Sequence, residues 1–215
     1  MFSLNKTYFY GMIHMNHQEI LEMDKVERLN LINSCTGYKS ANLIGTISAD
    51  GITNVAVFSS VTHLGSNPPL LGFVLRPTTV PRNTFQNLKD TGEFTVNHIH
   101  SEMIADAHHT SAKYPGMVSE FDKTNLFPEF REGFSAPYVQ GARIQIGCRY
   151  VNEYSIEENG CLFIIGSIQH IYFSPEIKLE DGFLALDKAD TVTVNGLDGY
   201  ALPKLIDRFD YARPK

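Results

Sequence analysis

The chain has 215 residues, 43% of them hydrophobic and 20% charged, which fits one domain of ordinary size and excludes disorder as its main state. A chain of this length buries roughly 70% of its unfolded surface, so it needs no disulfide or metal to hold it together. Its 18 basic and 24 acidic residues give a net charge of -6, which leaves no broad cationic surface for a nucleic acid backbone.

The longest apolar runs, Pro68 to Leu75 and Cys161 to Ile165, fall far short of the roughly 20 residues of a membrane helix. The opening stretch is interrupted by Asn5, Lys6, Asn16 and His17 and has no sustained apolar run before a cleavage site, so no secretion leader is expected. Cys35, Cys148 and Cys161 are odd in number and far from any Cys-x-x-Cys spacing, which points to free thiols and a cytoplasmic location. With no internal repeat and no linker composition, a single domain over 1–215 is expected.

In chain order, Val26, Leu29 and Ile32 at helical spacing predict a short helix over Met23 to Ser34. Ala41 to Ser48 and Ile52 to Ser60 flank Asp50-Gly51 and predict a hairpin, after which Leu70 to Leu75 reads as a strand. A helix is expected from about Pro81 to Lys89, capped by Thr79 and stopped by Thr91-Gly92. Glu93 to Ile99 alternates like a strand, and Ser101 to Lys113 reads as a helix with Met103, Ile104 and Ala107 on one side. Tyr114 to Pro137 reads as a long irregular loop. Gln140 to Ile156 and Leu162 to Phe173 form a second hairpin through Glu157-Glu158-Asn159-Gly160. The sum is a mainly β barrel or sandwich with a few flanking helices.

Three clusters carry candidate chemistry. The first is histidine-rich: His98 and His100 alternate on a strand, with His108 and His109 beyond, a pattern open to a metal site or to a strand end and a polar helix face. The second is Ser59-Ser60-Val61-Thr62-His63, followed by Asn67-Pro68-Pro69. Small hydroxylated residues there let a planar ligand approach the backbone, and a plain polar loop is the other reading. The third gathers Arg76, Thr78, Thr79, Arg82, Asn83 and Thr84 at a helix start, where free N–H groups and arginine forks suit a phosphate, or where Thr79 is simply a cap. Nucleotide-binding and hydrolase signatures such as G-x-G-x-x-G, G-x-x-x-x-G-K-[ST], H-E-x-x-H and G-x-S-x-G do not occur.

Taken in order, these segments resemble the flavin reductase-like family, which has an FMN-binding split β-barrel and includes flavoredoxin. The resemblance covers roughly Ser40 to Ile171. It rests on Asn67-Pro68-Pro69-Leu70-Leu71, on Asn83-Thr84-Phe85-Gln86-Asn87-Leu88 with Asn83 in place of the usual acid, and on Thr91-Gly92-Glu93-Phe94-Thr95-Val96-Asn97. Ser111 to Asp122 is similar to a further family segment, with Glu120 where many members carry lysine.

The resemblance implies a split β-barrel of Greek-key type with a few flanking helices, and a homodimer with flavin sites near the subunit interface. FMN would lie with its ring along Ser59 to His63 and its phosphate near Arg76, Arg82, Asn83 and Thr84. The loop from Ser111 through Lys113 to Asp122 would cover it, with Tyr114 or Phe121 stacking nearby. His63 and His98 are candidates to hydrogen-bond the flavin, and Asn97 either does so or satisfies buried backbone. The implied activity is hydride transfer from NAD(P)H to FMN and onward to flavin, a ferric chelate or a protein, with no catalytic side chain required. An FMN electron carrier, a His-ligated metal enzyme and a plain interaction module are the competing readings. The aromatic-rich C-terminal stretch, with Tyr200, Leu205, Ile206, Phe209 and Tyr211, is expected to pack at the dimer interface.

Overall fold

The computed structural model describes residues 8–9, 11–80 and 82–214. In chain order these form β1 (Tyr8–Phe9), β2 (Met12–Ile13), α1 (His17–Glu22), α2 (Lys25–Cys35), β3 (Lys39–Ser40), β4 (Asn42–Ile47), β5 (Thr53–Phe58), β6 (Thr62–Ser66) and β7 (Pro69–Leu75). Then come α3 (Asn83–Thr91), β8 (Glu93–His98), α4 (Ile104–His109), β9 (Pro128–Arg131), β10 (Phe134–Val139), β11 (Ile144–Ile156), β12 (Cys161–Phe173), β13 (Thr193–Asn195) and β14 (Gly199–Ala201).

Seven antiparallel strands in the order β5-β4-β8-β11-β12-β7-β6 make the barrel wall. Inside it pack Ile44, Leu71, Phe73, Leu75, Leu88, Phe94, Val96, Cys148 and Ile164. A second core on the other face joins Leu43, Val55, Ile99, Met103, Ala107, Phe121, Leu126 and Val139. β4 therefore has Leu43 and Ile44 fully buried on opposite faces, which explains its continuous apolar run.

The expected hairpins are present: β4 pairs with β5, and β11 with β12 from Ile144↔Phe173 to Ile156↔Cys161. α3 stops where expected, at Gly92, whose φ of +72° suits glycine and whose N–H bonds the Leu88 carbonyl. Its start differs from expectation. Arg82, not Thr79, is the N-cap, and the expected first-turn Pro81 lies outside the described residues.

Three other segments differ. Thr62–Ser66, read as a polar loop, is a strand pairing with β7, because β7 offers a free edge for it. Tyr114 to Pro137 contains a 3-10 turn at Glu120–Lys123 and the β9–β10 hairpin, whose Gly/Pro-rich composition hid two short strands. Ser101 to Lys113 breaks into a 3-10 turn at Ser101–Met103 and the short α4, with Met103 and Ala107 buried as their spacing suggests.

β10 crosses closely over β4 and β8. Thr95 Oγ1 donates to the Pro137 carbonyl at 2.6 Å, and Asn97 Oδ1 accepts from Val139 N at 3.0 Å. Gly45 sits under this crossing, where a Cβ would collide with the Pro137 carbonyl and lie 2.6 Å from Thr95 Oγ1. No helix among the described residues is long and apolar enough to cross a membrane.

Candidate functional site

β5 ends at Phe58, and the chain crosses Ser59-Ser60-Val61 before β6 begins. A groove of about 520 Å³ opens there, lined by Ser59, Ser60, Val61 and Thr62 together with Ile32, Asn33 and Thr36 from the end of α2 and Lys39 and Ser40 of β3. Two hydroxyls fix its floor. Ser60 Oγ donates to the Val74 carbonyl at 3.1 Å and accepts from Val74 N at 3.0 Å, while Ser40 Oγ donates to the Val61 carbonyl at 2.8 Å. Those hydroxyls are spent on structure, leaving the ones on Ser59 and Thr62 for an occupant.

A second hollow of about 350 Å³ is lined by Thr78, Val80, Arg82, Asn83, Phe85 and Gln86 at the start of α3. Arg82 Nε donates to the Pro77 carbonyl at 3.4 Å, and Asn83 Nδ2 to the Gly116 carbonyl at 3.2 Å, so the loop after α4 touches the helix start. Helix N–H groups and the Arg82 guanidinium give this hollow a positive potential.

Thr84 faces the other way. It is buried, and its Oγ1 lies 3.2 Å from the Asn54 amide, within a polar core that includes Thr46, Asn87 and Glu120. With Asn54 Nδ2 donating to Glu120 Oε2 at 3.3 Å, Asn54 Oδ1 accepts from both Thr84 Oγ1 and Val55 N. Glu120 Oε2 also accepts from Val55 N at 3.2 Å, and burial holds its carboxyl above the usual range. Glu120 is thus a clamp on β5. Thr110 Oγ1 repeats the device by accepting from Val57 N at 2.9 Å.

The other expected site residues are dispersed. His63 is exposed on β6 opposite Leu71, and Arg76, Ser111 and Lys113 are exposed and line neither hollow. Asn97 is a core residue: its Nδ2 donates to the Leu43 carbonyl and Thr95 Oγ1, and its Oδ1 serves Val139. Phe121 is buried in the outer core and anchors its loop, so it does not stack on a groove ligand; Tyr114 bonds His109 Nε2 at 2.7 Å. The histidine cluster does not assemble. His108 meets Tyr200 at 3.3 Å, His98 lies in the sheet, and among the described residues no three His, Cys, Asp or Glu side chains converge.

His98 Nδ1 is enclosed without a partner among the described residues, and burial pushes its imidazole from 6.5 down to about 4. Between those values the unfolded chain takes up a proton that the folded chain refuses, so stability is full above about pH 6.5 and falls as pH drops. The loss is expected to reach about 3 kcal/mol near pH 4. His100, also lowered mainly by burial, adds to the slope, and Glu120 opposes it. Urea titrations from pH 7 to pH 4 should show a shallower dependence in His98→Gln; identical slopes would remove His98 as its source.

The groove residues from α2 and β3 were missed in the sequence because nothing local marks them. Lys39 reaches the groove only because β3 pairs with β13, matching Lys39 to Val194.

A family model described as a flavin reductase like domain matches residues 38–188. The solved structure of a split-barrel protein from Shewanella frigidimarina, named as a flavin reductase, is 41% identical, with a TM-score of 0.89 over 93% of this chain and 99% of that one. The flavoredoxin of Desulfovibrio vulgaris (Miyazaki F) shares the fold at a TM-score of 0.70 and 19% identity, over 81% of this chain and 92% of that one. An uncharacterized protein of Aquifex aeolicus is 33% identical over 108 residues, which span 49% of this chain and 55% of that protein. With the family match running through β3 to β12 and onto the loop beyond, the chain belongs to the flavin reductase-like family and is a mainly β split barrel with few helices.

Proposed function

We propose that this protein is an FMN-dependent oxidoreductase that takes reducing equivalents from NAD(P)H and passes them to free flavin, a ferric chelate or a protein acceptor. The observation that carries this reading is the placement of two hollows along one fixed strand. The hydroxyl-lined groove follows the end of β5, and the arginine-bearing hollow lies at the start of α3, whose opposite face packs on the beginning of β5 through Thr84 and Asn54. Asn54, where α3 packs on β5, and Ser59 of the groove are about 16 Å apart at the rise of an extended strand, which sets the scale between the start of α3 and the groove at that of a mononucleotide.

The donor set fits FMN. Ser59, Thr62 and the backbone of Val61 suit the edge of a heterocycle, while Arg82, Asn83 and the first turn of α3 suit a phosphate. FMN supplies hydride acceptance and one- or two-electron donation when bound, so the side chains have to hold and orient it. The three unpaired thiols support a reducing, cytoplasmic setting.

A homodimer is part of this reading. Every residue of α2 is at least partly exposed, with Val26 at 62%, Leu29 at 44% and Ile32 at 43%, and the tail leaves Ile206, Phe209 and Tyr211 open. Apolar surface of this extent is the kind that subunit contacts cover.

The test is an absorbance spectrum of the purified protein, followed by anaerobic NADPH or NADH. Flavin bands that bleach are the expected result. Bands that persist would leave an electron carrier fed by another protein, and a colourless protein that also ignores added FMN would end the flavin reading.

A further inference from the structure

Of the nine residues that line the groove beside β5, Lys39 alone carries a charge. Its placement is firm. The ladder between β3 and β13 fixes its backbone, and the next residue, Ser40, bonds the Val61 carbonyl of the groove floor. Its Nζ donates to the Asn33 carbonyl at 2.8 Å, at the end of α2 where a cation is favoured by the helix dipole. Thr36 Oγ1 and the Gly37 carbonyl stand at 3.5 Å, at the limit of hydrogen bonding, so the ammonium keeps donor capacity for an occupant. Among the described residues Lys39 makes no ion pair, and its charge is left uncompensated in an acidic protein.

We propose that Lys39 tunes the bound flavin, its ammonium on the groove wall favouring the reduced, negatively charged ring over the neutral oxidised one. The inference rests on the placement of the flavin ring in this groove. Two electrons and one proton added to the oxidised ring leave one net negative charge; NAD(P)H delivers them together as a hydride in turnover, and in a titration dithionite supplies the two electrons and the solvent the proton. A fixed cation lowers the energy of that charge and leaves the neutral form little affected. The same cation would hold the ring's orientation in the groove, since a neutral wall offers no preferred end for the charge.

The experiment is a dithionite titration of the FMN-loaded protein against a reference dye, on the wild type, Lys39→Gln and Lys39→Arg. Lys39→Gln keeps a donor for the Asn33 carbonyl and removes the charge; Lys39→Arg keeps the charge. The expected result is a fall of about tenfold in the equilibrium constant for reduction in Lys39→Gln, which is about 30 mV for a two-electron couple, with Lys39→Arg close to the wild type. Equal midpoints in all three proteins would overturn the proposal while leaving FMN binding intact. A fall in both variants would mean that the lysine acts through α2 packing and not through charge, and also counts against it. Should Lys39→Gln not fold, the wild-type midpoint is read against salt: a potential that does not fall as salt rises overturns the proposal, because a half-exposed cation is screened. Failure of the wild type to take up FMN at all is the separate failure of the functional reading.

Discussion

Replacing Gly45 by valine is expected to give the largest stability loss of any single substitution considered, at least about 3 kcal/mol, or a fall in Tm of about 6–12 °C. The reason lies in what a side chain would strike. A Cβ at Gly45 collides with the backbone carbonyl of Pro137 and crowds Thr95 Oγ1, and those two atoms are already bonded to each other at 2.6 Å. A flexible neighbour would give way, but a carbonyl on β10 moves only if the whole hairpin lifts off the sheet. Lifting it also breaks the bond from Val139 N to Asn97. Urea unfolding should show a lower midpoint at an unchanged slope. A variant as stable as the wild type would mean that β10 does not lie against β4.

The second large effect concerns ligand binding. Arg82→Ala is expected to raise the dissociation constant of FMN about 30-fold, roughly 2 kcal/mol for a charge-assisted contact, and to leave riboflavin binding unchanged. Riboflavin carries the same ring without the phosphate, so the pair of ligands separates a phosphate contact from a general disturbance of the groove. Equal losses for both ligands would place Arg82 in a structural role, through its bond to the Pro77 carbonyl.

The sheet was legible because its strands announce themselves. Asp50-Gly51 and Asn159-Gly160 mark turns between β-branched runs, and Gly92 ends a helix for a reason that a single residue carries. Thr62–Ser66 was not legible, since its strand character depends on the free edge of β7. The groove was legible on one side alone. Ser59 to Thr62 stood out as small hydroxylated residues at a strand end, whereas Ile32, Asn33 and Lys39 look like an ordinary helix end and a two-residue strand. Burial was the other blind spot. Thr84 and Asn97 have side chains suited to a ligand, and the fold instead spends them inside, on Asn54 and on Leu43, Thr95 and Val139. Glu120 is the clearest case. In sequence it is a departure from a motif, in a loop expected to cover the flavin, and the structure gives it the backbone of β5 to hold.

That clamp has a consequence for the protein in a crowded solution. β5 is one of the two outermost strands of the seven, and an outermost strand with free amides is a template on which another chain can add a strand of its own. Here the amides of Val55 and Val57 already donate to Glu120 and Thr110, and an incoming backbone that displaced them would leave a buried carboxyl and a buried hydroxyl without these donors. The edge is closed to aggregation by two acceptors in place of a bulge or a proline. A chain with lysine at position 120 would need another guard for the same edge.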